Sequence, residues 1–387
     1  MDTEYDSFIL AVRNNSPVDG FTHNFYRYPA RFSPFFVREA IKTFTKPGDL
    51  VVDPFVGGGT TLVEASTLGR KSIGVDINSL ATFVSSVKTQ PLSKAEIGFI
   101  KDWTKSINDF VIKKRFTNDN FWESNGYLTN LDTIHTWRLR NLFESSINEI
   151  NKIESKTIQN FLRCALLRAG QWALDGRQNI PTINEFRDQL SYFIIDMLDG
   201  IIKYKSAIDY QQKYVMPKIL TRSVIGMENE QIFRDQKTRL ILMSPPYPGV
   251  HVLYHRWQIM GRKETPVPYW IANQIDGNGE SYYTFGSRGT DFNSKYFSEM
   301  EKVFSSLNVI SDESTLIIQM LAFSNPNNQL PRYLRVMDRA GFEEIFLSNK
   351  KTHKRIWREV PNRKWHATLQ GKTPSSKEVV LIHKKRS

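Results

Sequence analysis

Two short stretches of this 387-residue chain carry residue types and spacings that can do chemistry. The first, Asp53-Pro54-Phe55-Val56-Gly57-Gly58-Gly59-Thr60-Thr61, lies between an apolar run (Leu50, Val51, Val52) and a helical run (Leu62, Val63, Ala65, Leu68). Glycines between a strand and a helix let the backbone approach a bulky ligand, because no Cβ stands in the way. About 15 residues past the last glycine, a second short apolar strand (Ser72, Ile73, Val75) is tipped by Asp76-Ile77-Asn78. A carboxylate in that place is where such folds hold the hydroxyls of a ribose. The turn opens on Asp-Pro-Phe, unlike a dinucleotide fingerprint, and lacks the Gly-Lys-Thr that holds a triphosphate. An acidic pocket with an aromatic edge suits a cationic ligand better than a pyrophosphate. The second stretch, Ser244-Pro245-Pro246-Tyr247, follows the apolar run Leu240-Ile241-Leu242-Met243. Its prolines remove two backbone donors and stiffen the chain, so a carbonyl can face a pocket without being claimed by a neighbouring N–H.

The first stretch resembles the S-adenosylmethionine-binding motif of DNA amino-methyltransferases, and the second resembles their catalytic motif. A third match, Tyr26-Arg27-Tyr28-Pro29-Ala30-Arg31-Phe32-Ser33-Pro34, resembles the segment that closes over the methionine end of the cofactor. The resemblance covers roughly residues 1–98 and 219–387 and leaves out the middle. It implies cofactor contacts from Tyr28, Arg31, Phe32, Ser33, Pro34, Asp53, Pro54, Phe55, Gly57, Gly59, Thr60, Thr61, Asp76, Ile77 and Asn78, and catalysis by Ser244, Pro245, Pro246 and Tyr247. Such enzymes usually carry a Gly-Asp pair after the next strand, whose acid accepts the cofactor's adenine amine. Here Gly226 is followed by Met227-Glu228, so Glu228 is the substitute, or backbone groups hold the adenine.

The implied reaction is methyl transfer to an exocyclic amine, a poor nucleophile because its lone pair is delocalised into the ring. Acceptors aimed at the two amine protons favour a tetrahedral nitrogen in the transition state, as preorganised dipoles stabilise developing charge. The Ser244 hydroxyl and the Pro245 carbonyl are those acceptors in this reading, and Tyr247 stacks on a target base flipped out of the duplex. The transfer is in line and needs neither a metal nor a covalent intermediate; His251 and His255, spaced like a metal pair, lack a nearby third ligand. Methylation at cytosine C5 needs a cysteine nucleophile. The single cysteine, Cys164, sits in the helical run Phe161-Leu162-Arg163-Cys164-Ala165-Leu166-Leu167 instead. Relatives with Asp at the first catalytic position are mostly adenine-N6 enzymes, whereas Ser leans to cytosine N4. N4-cytosine methylation therefore leads, and adenine N6, an RNA amino group, or a catalytically inactive nucleic-acid-binding subunit stay open. Enzymes of this kind generally serve restriction-modification or defence systems, which makes a cognate nuclease or defence subunit a possible partner.

The elements that must position these residues are legible in outline. Hydrophobic residues make up 40% of the chain, ample for a core, and nowhere do about 18 apolar residues run together. The acidic N-terminus does not look like a signal peptide, and a lone cysteine fits a reducing compartment, so a cytoplasmic protein is expected. The formal charge is +12; residues 350–387 hold twelve Lys or Arg against two Glu, which points to a polyanionic partner. Residues 35–44 read as a helix stopped by Lys46-Pro47-Gly48. Strands are expected at 223–226, 240–243, 315–320, 344–347, 355–360 and 378–383, and helices at 80–87, 291–307 and 331–340. Residues 248–289 show no clear period and read as a long active-site loop with short helices. The expected architecture is an α/β fold, a Rossmann-like seven-stranded methyltransferase sheet with an inserted helical domain. Its parts are 1–98 for the cofactor, 99–218 for the helical insertion and target recognition, and 219–387 for catalysis. The insertion carries only 17 basic against 14 acidic residues. Other candidates for DNA contact are His255, Arg256, Arg262, Lys263, Arg355, Arg358, Arg363 and Lys364, interleaved with aromatic residues.

Overall fold

Runs of valine, isoleucine and leucine bounded by turns make the strands, and their pairing decides where the motifs lie. The structure, a computed structural model, describes residues 5–14, 16–28, 31–109, 120–212, 214–234, 236–248, 256–261, 263–277, 285, 292–347, 355–359 and 377–387. The strands are β1 Leu50–Asp53, β2 Lys71–Asp76, β3 Lys218–Thr221, β4 Thr238–Met243, β5 Trp257–Ile259, β6 Lys263–Thr265, β7 Leu316–Ala322, β8 Phe342–Glu344, β9 Ile356–Glu359 and β10 Lys377–Lys385. Eight of them form one sheet in the order β3-β2-β1-β4-β7-β10-β8, with β9 also paired to β10. The first five in that order run parallel, and β10 joins antiparallel. β8 and β9 share the free edge of β10, one at each end. The sheet is thus seven strands wide and the fold is Rossmann-like, with the strand order reversing between β1 and β4. Ligands of open α/β sheets bind at such a switch point, outside the carboxyl ends of the strands.

Alternation along β1 and β4 divides the core between the two faces of the sheet. Leu50, Val52, Ile241 and Met243 pack with the helices Phe292–Val309 and Pro326–Arg339, through Tyr296, Met300, Phe304 and Tyr333. Val51, Leu240 and Leu242 face Phe36, Val37, Ala40 and Ile41 of the helix Pro34–Phe44, on which the helix Asp6–Arg13 lays Phe8 and Val12.

The middle of the chain is helical among the described residues, with long helices at Trp137–Asn151, Lys156–Leu174 and Ile183–Asp209. Reciprocal capping by Ser93 with Glu96 and by Thr182 with Glu185 starts the helices Lys94–Lys105 and Ile183–Asp209. These helices do not close a core of their own. Their apolar faces form one cluster with Leu80 and Val84 of the helix Ser79–Thr89, with Tyr26 and Tyr28, and with Trp257 and Tyr269.

Three local expectations are corrected. Residues 223–226 are not a strand; the strand is Lys218–Thr221, and the Ser223 hydroxyl then accepts from Ile225 N–H, turning the chain along the end of β2. The helix expected from Pro331 begins at Pro326, capped by the Asn325 side chain, with Pro331 inside it. Within 248–289 a short helix lies at Val267–Ala272, every residue of it buried, as a loop with short helices requires, but the β5–β6 hairpin beside it was not expected. Among the described residues no helix is long and apolar enough to cross a membrane.

Candidate active site

β1 ends on Asp53 and the neighbouring strand β4 runs into Ser244, so both motifs leave the sheet at the switch point. They border one cavity of about 380 Å³, whose walls include Tyr28, Arg31, Phe32, Asp53, Phe55, Gly57, Thr60, Asp76, Asn78, Ser244, Pro246 and Tyr247. Pro54 and Ile77 line it too.

The glycine turn owes its shape to a few bonds. Gly57 and Gly59 adopt positive φ, 44° and 74°, the latter just before the helix Thr60–Thr67. Asp53 accepts from Phe55 N–H at 3.1 Å and from the Thr61 hydroxyl at 2.6 Å. Asp76 accepts from Gly57 N–H and from Asn78 N–H, both at 2.9 Å, tying the tip of β2 to the turn. A carboxylate has about four acceptor sites, so each Asp76 oxygen keeps capacity for a further donor such as a ribose hydroxyl. Burial raises Asp53 to about 7 and Asp76 to about 6.

Tyr28 and Arg31, before the helix Pro34–Phe44, lie over the turn. A Cβ on Gly57 would meet the Tyr28 ring at 3.3 Å and one on Gly58 would meet Tyr28 Cβ at 3.2 Å, so a side chain at either position would crowd this cover. The Tyr28 hydroxyl accepts from Asn78 Nδ2 at 3.2 Å, Tyr269 donates to Asn78 Oδ1 at 3.0 Å, and Arg31 donates to the His23 carbonyl. Ser33 and Pro34 start the helix rather than border the cavity. Gly59 and Thr61 likewise act from beneath. Pro29 and Ala30 lie outside the described residues.

Several functional groups escaped the sequence reading. Lys88 is fully buried behind the turn and donates to the Gly58 carbonyl at 2.7 Å; burial pushes its ammonium down to about 7. Its place at the end of a helical run gave no signal of this contact. Ser223, Val224, Ile225, Phe285, Lys295 and Glu299 complete the cavity wall. Glu228 does not line it, and its Oε2 is buried without a partner among the described residues. Cys164 is buried, its thiol pushed up to about 12, as expected of an inert core residue.

On the catalytic side, Ser244, Pro246 and Tyr247 face the cavity, whereas Pro245 is buried and does not line it. The Pro246 carbonyl accepts from the Tyr296 hydroxyl at 2.7 Å. Ser244 donates to the Tyr247 hydroxyl at 2.9 Å, and Tyr247 donates to Glu378 Oε1 at 2.9 Å.

The basic candidates are dispersed. Arg358 is partly buried and its side chain, 7% accessible, is paired with Glu378, which leaves little of it to meet a phosphate; Arg355 is held in two bonds by Glu344. Arg256 lies 3.8 Å from Asp276, and Lys263 is exposed on β6. His255, Arg262, Arg363 and Lys364 lie outside the described residues.

The fold is a Rossmann-like α/β sheet with a cavity at its switch point. A family model described as DNA methylase matches residues 8–82. The chain is similar to the Type II methyltransferase M.MvaI of Kocuria varians, 26% identical over 60% of this chain and 54% of that protein. It is also similar to the Type II methyltransferase M.MjaII of Methanocaldococcus jannaschii, 38% identical over 18% of this chain and 13% of that one. The chain's match thus spans about half the length of the first relative. Among solved structures, the rRNA methyltransferase aviRa of Streptomyces viridochromogenes covers 93% of this chain and 89% of its own at 8% identity, with a TM-score of 0.31, too low to bear on function. The likeness to the DNA methylase model over residues 8–82 and to Type II methyltransferases makes S-adenosylmethionine the donor against which the cavity is tested.

The residues fit that donor. The buried carboxylate of Asp53, the partly buried one of Asp76 and a rim of Tyr28, Phe32, Phe55 and Tyr247 favour a cation, glycines give close backbone approach, and Asp76 retains acceptor capacity.

Proposed function

We propose that this protein transfers a methyl group from S-adenosylmethionine to the exocyclic N4 amine of cytosine in duplex DNA, at a short recognised sequence and with the target base flipped out. The observation that carries this reading is that the glycine turn, Asp76, Ser244 and Tyr247 border a single cavity. When bound, the donor supplies an electrophilic methyl on a sulfonium. The chain's own residues do the rest. Asp53 and Asp76 balance the donor's positive charge and orient its ribose, while Tyr28 and Phe32 keep water from the methyl.

Ser244 accepts an amine proton in a hydrogen bond, which localises the nitrogen lone pair toward the methyl. Tyr247 and Phe285 offer apolar faces that replace the stacking a flipped base loses. The serine in first place favours cytosine. Lys263 and the helical stretch over 99–218 are the candidate DNA contacts, and a cognate nuclease or defence subunit is the candidate protein partner. Long-read sequencing of DNA from cells expressing the chain, beside cells expressing Ser244→Ala, tests the reading. N4-methylcytosine in one sequence context, lost in the variant, is expected; N6-methyladenine alone would overturn the choice of base.

A further inference from the structure

β10 is antiparallel to the rest of the sheet, so its first residues lie at the edge where the parallel strands deliver the site. Glu378 stands there, buried, directly across from Arg358 on β9. The two form a close ion pair, with Arg358 Nε and Nη2 on Glu378 Oε2 at 2.8 Å and 2.7 Å. The other oxygen, Oε1, accepts from the Tyr247 hydroxyl, 131 residues away in sequence. A phenol has one proton and an ionised carboxylate can only accept, so the Tyr247 proton is committed to Glu378. The Tyr247 oxygen must then act as acceptor toward Ser244, which fixes the serine proton away from the cavity.

We propose that Glu378 and Arg358 are positioning residues for methyl transfer: through Tyr247 they hold the Ser244 hydroxyl with its lone pairs, not its proton, toward the target amine. The inference rests on the reading of Ser244 given above. Without the chain, the serine hydroxyl could rotate and present a donor to a nitrogen that needs an acceptor. Chains of hydrogen bonds in a low-dielectric interior also polarise one another, so Glu378 makes the Ser244 oxygen a better acceptor.

The test is a mutant cycle on the full chain, read by single-turnover methylation of DNA at saturating donor and by calorimetric affinity for S-adenosylmethionine. Tyr247→Phe keeps the ring and the ion pair but cuts the chain; Glu378→Gln removes the anion; Glu378→Gln with Arg358→Met removes both charges and guards against misfolding from a lone buried cation. Each should slow transfer roughly 10- to 100-fold and leave donor affinity within about twofold, and none should slow it further in a Ser244→Ala background, because residues acting through one group are not additive. Wild-type transfer in Tyr247→Phe and Glu378→Gln, or losses that add to that of Ser244→Ala, would overturn the relay while leaving Ser244 in its role. A wild-type rate in Ser244→Ala would overturn both.

Discussion

Asp53 and Ser244 leave neighbouring parallel strands at the same edge of the sheet, since Val52, just before the acid, is the register partner of Ile241 in the strand that runs into the serine. The donor motif and the acceptor motif are adjacent in space because β1 and β4 pair, although about 190 residues separate them in sequence. From that adjacency the following outcomes are expected.

Donor affinity should depend on pH through the two acids. Asp53, raised to about 7, and Asp76, raised to about 6, must be ionised to hold a cation, so affinity should rise with pH through that window and fall by about tenfold per pH unit below it for each proton lost. Stability without ligand should move the other way. A carboxylate raised above its unfolded value stabilises fully below the unfolded value, and that contribution is lost as pH rises through 6 to 7. Calorimetry and thermal melts between pH 5 and 8 check both signs, and Asp53→Asn should flatten both curves; a pH-independent affinity would contradict the assignment.

Ser244→Ala should reduce methylation roughly 10²- to 10³-fold, the usual cost of removing one preorganised hydrogen-bonding group, with donor affinity unchanged. Radiolabel transfer to DNA and calorimetry separate the two. Retained activity would remove the serine from the reaction.

The turn should tolerate no side chain at Gly59. An alanine Cβ there would lie 2.7 Å from Ser85 Oγ and 3.1 Å from Ser85 Cα, at a φ of +74°. Gly20, at φ +88°, has nothing within 4 Å of such a Cβ. Both alanine variants carry the left-handed strain of about 1–2 kcal/mol, and Gly59→Ala adds overpacking of about 1–3 kcal/mol. Urea midpoints of the two variants measure the difference; equal midpoints would mean that the contact with Ser85 relaxes at no cost.

Lys88 should govern stability at alkaline pH. Its ammonium, depressed to about 7 by burial, makes the folded chain bind fewer protons than the unfolded one between pH 7 and about 10, so stability should rise with pH across that window. Lys88→Met should abolish the rise and, by leaving the Gly58 carbonyl without its donor, weaken S-adenosylmethionine binding. Melts and calorimetry above pH 7 report both effects.

What was legible in the sequence was whatever chemistry is local. The glycine turn, Asp76 on the next strand and Ser244-Pro245-Pro246-Tyr247 each announce themselves within a few residues, and the strands that carry them have clear apolar runs. Groups that act across long separations left no trace: Glu378 on Tyr247, Lys88 under Gly58, Trp257 donating to Tyr26. A short helix within 248–289 was expected, but its bounds at Val267–Ala272 were not legible, because a helix buried on every side has no period to read. Arg358 looked like part of a basic, aromatic-rich surface, and only its register with Glu378 on β10 turned it inward.

The central claim is that methyl transfer ends on an exocyclic amine. The purified chain, incubated with duplex DNA and S-adenosylmethionine carrying an isotopically labelled methyl, should yield labelled N4-methylcytosine when the digested nucleosides are separated by mass. Label in 5-methylcytosine, or no labelled nucleoside from a protein that binds the donor, would contradict it.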